Sequence, residues 1–379
     1  MRIAVLSDLH LGYGNNTERY EDSFNAAKEA LDKARHADVI LIAGDIFDAR
    51  DPSSDVFARA MEIFVEMKRY ESKAKIIECC KKLPKTATIG IPIIAIHGTH
   101  ERRARGLINP VETMEKAGLL IHLHCSGVGV EKDGERIFIQ GLSGVPEQYT
   151  LAALKKCDFR PKQGYFNIFL FHQSLKEFVY DPRGIEINQL PGGFDVYVCG
   201  HVHESAVKKL EKGVLLIPGS TIPTQILKNN PTFGFWMFDV IDNNIANLHF
   251  VELENQRKVY VISATSPSEV IKKIDEILAG MHDKKPIIRV DANLSQHEID
   301  MIKSKYEGKA LMILKGLERK IEVGRISIDE QIMSVEELGR IILRENMEKR
   351  GLDAKVFEEV FELLENGKIE DAIKFLKQT

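Results

Sequence analysis

Five short apolar runs in this chain each end in aspartate or histidine, and that recurrence limits what the chain can fold into. Ile3-Ala4-Val5-Leu6 leads into Ser7-Asp8-Leu9-His10, and Val39-Ile40-Leu41-Ile42-Ala43 into Gly44-Asp45-Ile46-Phe47-Asp48. Ile93-Ile94-Ala95-Ile96 leads into His97-Gly98-Thr99-His100-Glu101. Further on, Ile168-Phe169-Leu170-Phe171 stops at His172, and Val196-Tyr197-Val198-Cys199 opens into Gly200-His201-Val202-His203. Open α/β sheets gather their sites at the carboxyl ends of strands. Five strand ends bearing Asp and His therefore predict one shared metal centre.

Carboxylates with imidazoles suit divalent manganese, iron or zinc. The Asp-x-His and His-x-His spacings fit a strand running out into a loop, where neighbouring side chains can turn toward one ion. A single carboxylate can bridge two ions roughly 3.5–4 Å apart, an arrangement that activates a water and holds the attacking and leaving oxygens of a phosphoester. Gly44, Gly98 and Gly200 let the backbone turn between strand and ligand.

In their order these blocks resemble the calcineurin-like metallophosphoesterases, whose pattern is Asp-x-His, Gly-Asp-x-x-(Asp/His), Gly-Asn-His-(Asp/Glu), a lone His, and Gly-His-x-His. Four of the five are intact, and Thr99 stands where the pattern has Asn. Within the superfamily the chain is most similar to the Mre-eleven/SbcD nucleases of DNA double-strand-break repair. The motifs lie within residues 1–250, and the remainder fits only in length and layout. The resemblance implies a layered α/β sandwich and two divalent ions, manganese first among them. It places Asp8, His10, Asp45 and His203 on one ion and Asp45, His172 and His201 on the other, with Asp45 as the bridge. It places His100 beside the substrate, protonating or stabilising the leaving group. It also implies 3′-to-5′ exonuclease action on duplex ends and endonuclease action on single strands or hairpins.

Any one of these residues has an ordinary reading: a strand-end histidine is usually hydrogen-bonded surface, and Asp8 alone could form a turn. Single short motifs recur by chance; it is the ordered set that carries the argument. His97, His122, His124 and His249 match no block and are read as non-ligands. His122 and His124 are expected on one solvated face of a strand, by alternation. Thr99 offers a hydroxyl, a poorer cation ligand than an amide carbonyl, so weaker binding of the second ion is expected. Asp48 is read as a carboxylate that orients a neighbouring ligand.

Composition excludes other classes. With 44% hydrophobic and 28% charged residues the chain has the make-up of a soluble globular protein. No run approaches the roughly 18 apolar residues of a membrane span. The start at Met1-Arg2-Ile3 reads as a core strand rather than a leader. The five cysteines (79, 80, 125, 157 and 199) show no paired-ligand spacing, so a reduced, cytoplasmic chain is expected. The net charge is −4, and residues 320–379 alone, with 10 basic and 14 acidic side chains, account for it. The rest is balanced, which is not the basic footprint of a strong free DNA binder, although divalent ions supply local positive charge. Arg102, Arg103 and Arg105 are the candidate phosphate contacts, or else a solvated charge cluster.

Residues 1–253 alternate strands and helices, the pattern of a layered α/β domain. A βαβαβ capping unit follows at 254–316: strand 259–264, helix 267–280, strand 287–291, helix 295–306, strand 310–315. A linker at 317–332 leads to a helical segment at 333–379. The resemblance implies that this segment docks on the coiled-coil base of an SMC-like ATPase of the Rad-fifty/SbcC type. Its apolar stripes, Val335 to Ile342 and Val356 to Leu364, are wider than so small a unit needs. Helices near 57–67 and 108–118 carry Phe57, Met61, Phe64, Val111 and Met114, more apolar residues than one sheet face needs, and the resemblance implies that they pair in a symmetric homodimer that holds two DNA ends. A protein or nucleotide phosphatase of the same superfamily, and a catalytically weak docking scaffold, are the alternative readings.

Overall fold

The apolar runs become the central strands of two facing sheets. The computed structural model describes residues 1–104, 106–226 and 230–314, and beyond them positions 356, 360, 363 and 373–375. The chain builds β1 (Arg2–Leu6), α1 (Tyr20–Ala34), β2 (Val39–Ala43), α2 (Ser54–Glu66), β3 (Lys75–Cys79), β4 (Ile93–Ile96), α3 (Pro110–Lys116), β5 (Ile121–His122), β6 (Ser126–Lys132) and β7 (Glu135–Leu142). Next come α4 (Thr150–Cys157), β8 (Phe166–His172), β9 (Val196–Gly200), β10 (Ala206–Lys209), β11 (Val214–Ile217), β12 (Gly234–Ile241) and β13 (Asn244–Glu252). Last are β14 (Val259–Ala264), α5 (Pro267–Leu278), β15 (Ile287–Ala292), α6 (Gln296–Tyr306) and β16 (Leu311–Leu314).

The first sheet runs β13-β12-β1-β2-β4-β5 and the second β10-β11-β9-β8-β7-β6-β3. Within them β1, β2, β4 and β5 are mutually parallel, as are β7, β8, β9 and β11. The absence of polar alternation in the runs now has its reason. Ile168 and Leu170 of β8 point into the core between the sheets, while Phe169 and Phe171 point outward into a second apolar cluster. In β2, Val39 and Leu41 face the inter-sheet core, and Ile40 and Ile42 face the helical layer. Strands buried on both faces need apolar residues at every position. At roughly 1.5–3 kcal/mol for each fully buried Ile, Leu or Phe side chain, these strands dominate the drive to fold.

The chain divides into two units, Met1–Arg102 with Asn109–Ile321, and Arg103–Ile108 with Glu322–Thr379. The expected capping unit is a parallel three-stranded sheet, β14-β15-β16, covered by α5 and α6. It belongs to the first unit, attached through Arg257, whose guanidinium pairs with Asp22 at 2.7 Å and donates to the Glu18 carbonyl at 2.8 Å. Serines at 266 and 295 cap its two helices, and the latter forms a reciprocal capping box with Glu298. The expected linker at 317–332 and most of the helical segment at 333–379 lie outside the described residues. Positions 356, 360, 363 and 373–375 are helical, with Val360 buried.

Three expectations are corrected. Phe64, Val111 and Met114 are fully buried in the protein's own core, so they offer nothing to a partner copy; Phe57 and Met61 pack against that core and stay partly exposed. Cys125 and Cys157 form a disulfide that ties the turn before β6 to the end of α4 across 32 residues. A loop of that size is worth about 3–4 kcal/mol in the chain-entropy picture. Cys79, Cys80 and Cys199 remain free thiols. Finally, His122 does not lie on a solvated face. It is 3% exposed, with Nε2 2.9 Å from His97 Nδ1 and its amide donating to Glu115 Oε1 at 2.8 Å. Only His124, whose ring lies 5.4 Å from that of His97, reaches solvent.

Burial, with help from Lys81, pushes the His122 imidazole from 6.5 down to about 3, and burial beside His122 holds His97 well below its ordinary value. The unfolded chain takes up protons on these rings below pH ~6.5 while the folded protein does not, so stability present above that pH drains away on acidification. Between pH 7 and pH 5, His122 alone should remove about 2 kcal/mol. Urea denaturation at the two pH values, on the wild type and on His122→Gln, checks this. An equally steep loss in the variant would show that the His122 ring is not the source.

Candidate metal centre

All five histidine- and aspartate-bearing strand ends emerge on one edge of the sandwich. The His172 Nδ1, at the end of β8, sits 2.7 Å from the Ala43 carbonyl at the end of β2, so the two sheets meet there directly. The backbone at this edge is unusual. Asp8 (φ 52°), His10 (φ 46°), Asp45 (φ 49°) and His201 (φ 76°) all hold left-handed conformations. L-residues rarely adopt these, and such outliers gather at functional sites. Gly44 turns with φ 94°. Gly98 and Gly200 serve otherwise: a Cβ on Gly98 would land on the Asp45 carboxylate, and one on Gly200 on the Ala43 carbonyl.

Three groups of closely spaced Asp and His side chains result among the described residues; two are the clusters described next, and the third, His10 with Asp48 and His100, shares His10 with the first. In the first, Asp8 Oδ1, His10 Nε2 and His203 Nε2 lie 3.3–3.9 Å apart in every pair. In the second, Asp45 gathers with His172 and His201, its Oδ2 3.2 Å from His172 Nε2. Each set has atoms spaced to surround one cation. Asp8 and Asp45 are fully buried carboxylates, a state that burial alone would make neutral. Burial pushes both up, but His203 and His172 beside Asp8, and His172 beside Asp45, outweigh it, holding Asp8 low and Asp45 well below the ordinary range. Burial opposes charge on His172, yet Asp45 and then Asp8 raise it to about 9. Burial lowers His201 to about 4, leaving it a neutral imidazole.

Glu101 joins the loops that carry these ligands, and sequence reasoning gave it no role. Its buried carboxylate accepts the Phe47 amide at Oε1 and the Gly98 amide at Oε2, each at 2.8 Å. One side chain thus ties the loop after β2 to the loop after β4. Burial, then the nearby Asp45 charge, raises it to about 8. Directly after His100 in the third block, it could have been found by asking what satisfies two buried loop amides.

The outer residues fall around the clusters. Asp48 Oδ1 lies 3.1 Å from His10 Nδ1, the ring nitrogen turned away from the first cluster. His100 Nδ1 lies 2.9 Å from the Asp48 carbonyl, its amide donates to Asp45 Oδ1 at 2.9 Å, and its ring is half-exposed, 5.0 Å from that of His10. Burial lowers His100, but Asp45 and the Asp48 carbonyl leave it raised. Thr99 Oγ1 points at Asp45 Oδ2 from 3.4 Å. Arg102 and Arg103 are partly buried and engaged in contacts, and Arg105 lies outside the described residues.

The residues fit divalent ions on their own terms. Asp8 Oδ1 and His172 Nε2, one in each cluster, are buried polar atoms that face ionisable neighbours at 3.5 and 3.2 Å without completing a hydrogen bond of good geometry. A buried polar atom that lacks such a bond is destabilising, and a cation at each cluster satisfies it. The calcineurin-like phosphoesterase model matches residues 1–205, and the chain belongs to that family of metal-dependent phosphoesterases. Within it, the chain is similar to curated DNA double-strand break repair proteins called Mre11. It is 26% identical to that of Methanopyrus kandleri over 80% of this chain and 67% of the relative, and 29% identical to that of Sulfurisphaera tokodaii over 76% and 72%. It is also 26% identical to the double-strand break repair protein of Encephalitozoon cuniculi, over 75% of this chain but only 53% of that one.

Removing the Glu101 carboxylate should leave the Phe47 and Gly98 amides buried without acceptors, at about 1–3 kcal/mol each. Glu101→Ala should therefore be several kcal/mol less stable in urea denaturation than the wild type, and Glu101→Gln, which keeps a carbonyl, should lose less. Equal stability of all three would mean that the two loops are held by something else.

Proposed function

We propose that the chain is the nuclease subunit of a DNA double-strand-break repair complex, a manganese-dependent phosphodiesterase with 3′-to-5′ exonuclease action on duplex ends and endonuclease action on single strands or hairpins. The observation that carries this reading is the pair of adjacent Asp/His clusters with the half-exposed His100 beside them. The similarity to Mre11 repair proteins narrows a phosphoesterase to one that acts on DNA.

Asp8, His10 and His203 would hold one ion and Asp45, His172 and His201 the other, with Asp45 proposed as the bridge. Two bound divalent ions lower the pKa of a water and polarise the phosphoryl oxygens. The remaining tasks fall to the protein. Asp48 holds His10 by its Nδ1, so that Nε2 faces the first cluster. His100 keeps Nδ1 on the Asp48 carbonyl, which leaves Nε2 for the substrate. As an imidazolium it donates the Nε2 proton to the departing 3′ oxygen. The balanced charge of residues 1–319 is compatible with DNA, because ions at the clusters supply the positive field the surface lacks.

Two partners complete the proposal. Phe57, Met61 and Val65 form a stripe along α2 that is only partly covered, behind the buried Val56, Ala60 and Phe64. That outer stripe is the proposed contact between two copies. Residues 333–379 are proposed to dock on an SMC-like ATPase through their apolar stripes. Their acidic balance suits contact with a protein better than with phosphates.

A labelled duplex incubated with manganese, and again with a chelator, tests the activity. Cleavage that needs manganese supports it, whereas hydrolysis confined to small phosphomonoesters favours the phosphatase reading. Asp45→Ala should lose both the bound manganese and cleavage while keeping its melting transition. His100→Ser should keep its manganese and lose roughly 10²–10⁴ in turnover, the range for a lost general acid. Retention of two tightly bound ions in Asp45→Ala would refute the bridge, and undiminished turnover in His100→Ser would refute the acid.

A further inference from the structure

The segment Ser220–Ile226 touches the first cluster at one end and the small sheet at the other. At the cluster end, Ser220 Oγ and the Thr221 amide both donate to the Asp8 carbonyl, at 3.1 and 3.3 Å, and the Ser220 amide donates to the His203 carbonyl at 3.1 Å. Ile222 is fully buried in the core under the helices. Thr224 Oγ1 then lies 2.7 Å from His203 Nδ1. At the far end, Arg289 of β15 donates through Nη1 to the Ile226 carbonyl at 2.6 Å, and Ile226 packs against Val259 and Ile287 of the small sheet. From the side, Arg19 donates to the Pro223 carbonyl at 2.5 Å and Tyr13 to the Thr224 carbonyl at 3.4 Å.

An imidazole that binds an ion through Nε2 keeps its proton on Nδ1, and the acceptor of that proton sets both the tautomer and the ring angle. For His203 that acceptor is Thr224. Thr224 sits on a strap with few ways to move: Asp8 and the core fix its start, and Arg289 fixes its end. Arg289 itself is only 8% exposed and spends a guanidinium N–H on a backbone carbonyl as well as pairing with Asp291. A buried charge in that place is costly unless its geometry is used.

We propose that Ser220–Ile226 is a positioning strap, in which Thr224 orients His203 for its cation and Arg289 holds Thr224 in register. The seat of the small sheet on the strap then governs the affinity of one of the two cation positions. This rests on the reading that Asp8, His10 and His203 hold a divalent ion. Thr224 and Arg289 are positioning residues; neither touches substrate.

Calorimetric titration of the full chain with manganese alone tests the strap. The wild type should bind two ions. Thr224→Val should weaken one of them about tenfold or more, the range for losing the partner of a ligating histidine, and leave the other unchanged. Thr224→Ser, which restores the hydroxyl, should bind as the wild type. Arg289→Met should weaken the same ion, and Arg289→Lys should weaken it less, with thermal melting run on each variant to show that it is folded. In the cobalt-loaded protein, Thr224→Val should shift the visible absorption of that one site. Unchanged affinities in Thr224→Val overturn the strap. So does an Arg289→Met protein that melts earlier yet binds both ions normally, or one that cannot be folded while Arg289→Lys binds as the wild type and Thr224→Val does not weaken either ion. A wild type that binds no manganese overturns the underlying two-ion reading instead, and the strap falls with it.

Discussion

Four residues of the Asp/His clusters hold left-handed backbone, and only the packing of two sheets keeps them there. Each such residue costs of order 1–3 kcal/mol. Asp8, His10, Asp45 and His201 hold it at one edge, so the surrounding structure has to over-determine that edge. It does so through β1, β2, β8 and β9, which are apolar at nearly every position and buried on both faces. Because both faces of these strands are apolar, the hydrophobic pattern alone would not fix their register; contacts such as the one between His172 and the Ala43 carbonyl, which a slip of one residue would break, do.

The electrostatics of the edge follow from the same burial. Two buried carboxylates, which burial alone would push toward the neutral form, are brought together with several imidazoles. They face one another at ion-pair distance, and two of their atoms, Asp8 Oδ1 and His172 Nε2, complete no hydrogen bond of good geometry. A protein can tolerate that arrangement when a cation completes it. The contrast with His97 and His122 is instructive. Those two histidines are just as buried, but they face each other and Asn109 rather than carboxylates, so burial leaves them neutral and structural.

The side chains of the two clusters are oriented by residues one step outside them. Asp48 holds His10, Thr224 holds His203, the Ala43 carbonyl holds His172, and Glu101 ties together two ligand loops. Thr99, placed where an amide would offer a carbonyl, instead lies against Asp45. His10, His203 and His172 thus each lean on a partner outside the two clusters, and those contacts set how the clusters are presented.

The sequence alone determined the layering and which strand ends bring Asp and His together. Metal chemistry restricts ligands to a few residue types, and strand-end motifs such as Asp8-x-His10 and His201-x-His203 keep both partners within a few residues, so local spacing suffices. The βαβαβ unit was legible for a similar reason: β14, α5, β15, α6 and β16 follow local periodicity and serine caps at 266 and 295. What depended on long-range approach was not legible. The Cys125–Cys157 bond joins a turn to the end of a helix 32 residues on, His122 meets His97 across neighbouring strands, and the outer faces of Phe64, Val111 and Met114 turned out to be inner ones. Apolar stripes on a helix show that a face will be covered, not by what. Thr224 and His203 lie 21 residues apart, and Arg289 a further 65, with no motif to connect them. Only the folded chain brings a threonine hydroxyl to the free nitrogen of a ligand, because hydrogen bonds form between atoms that meet in space and leave no period in the sequence.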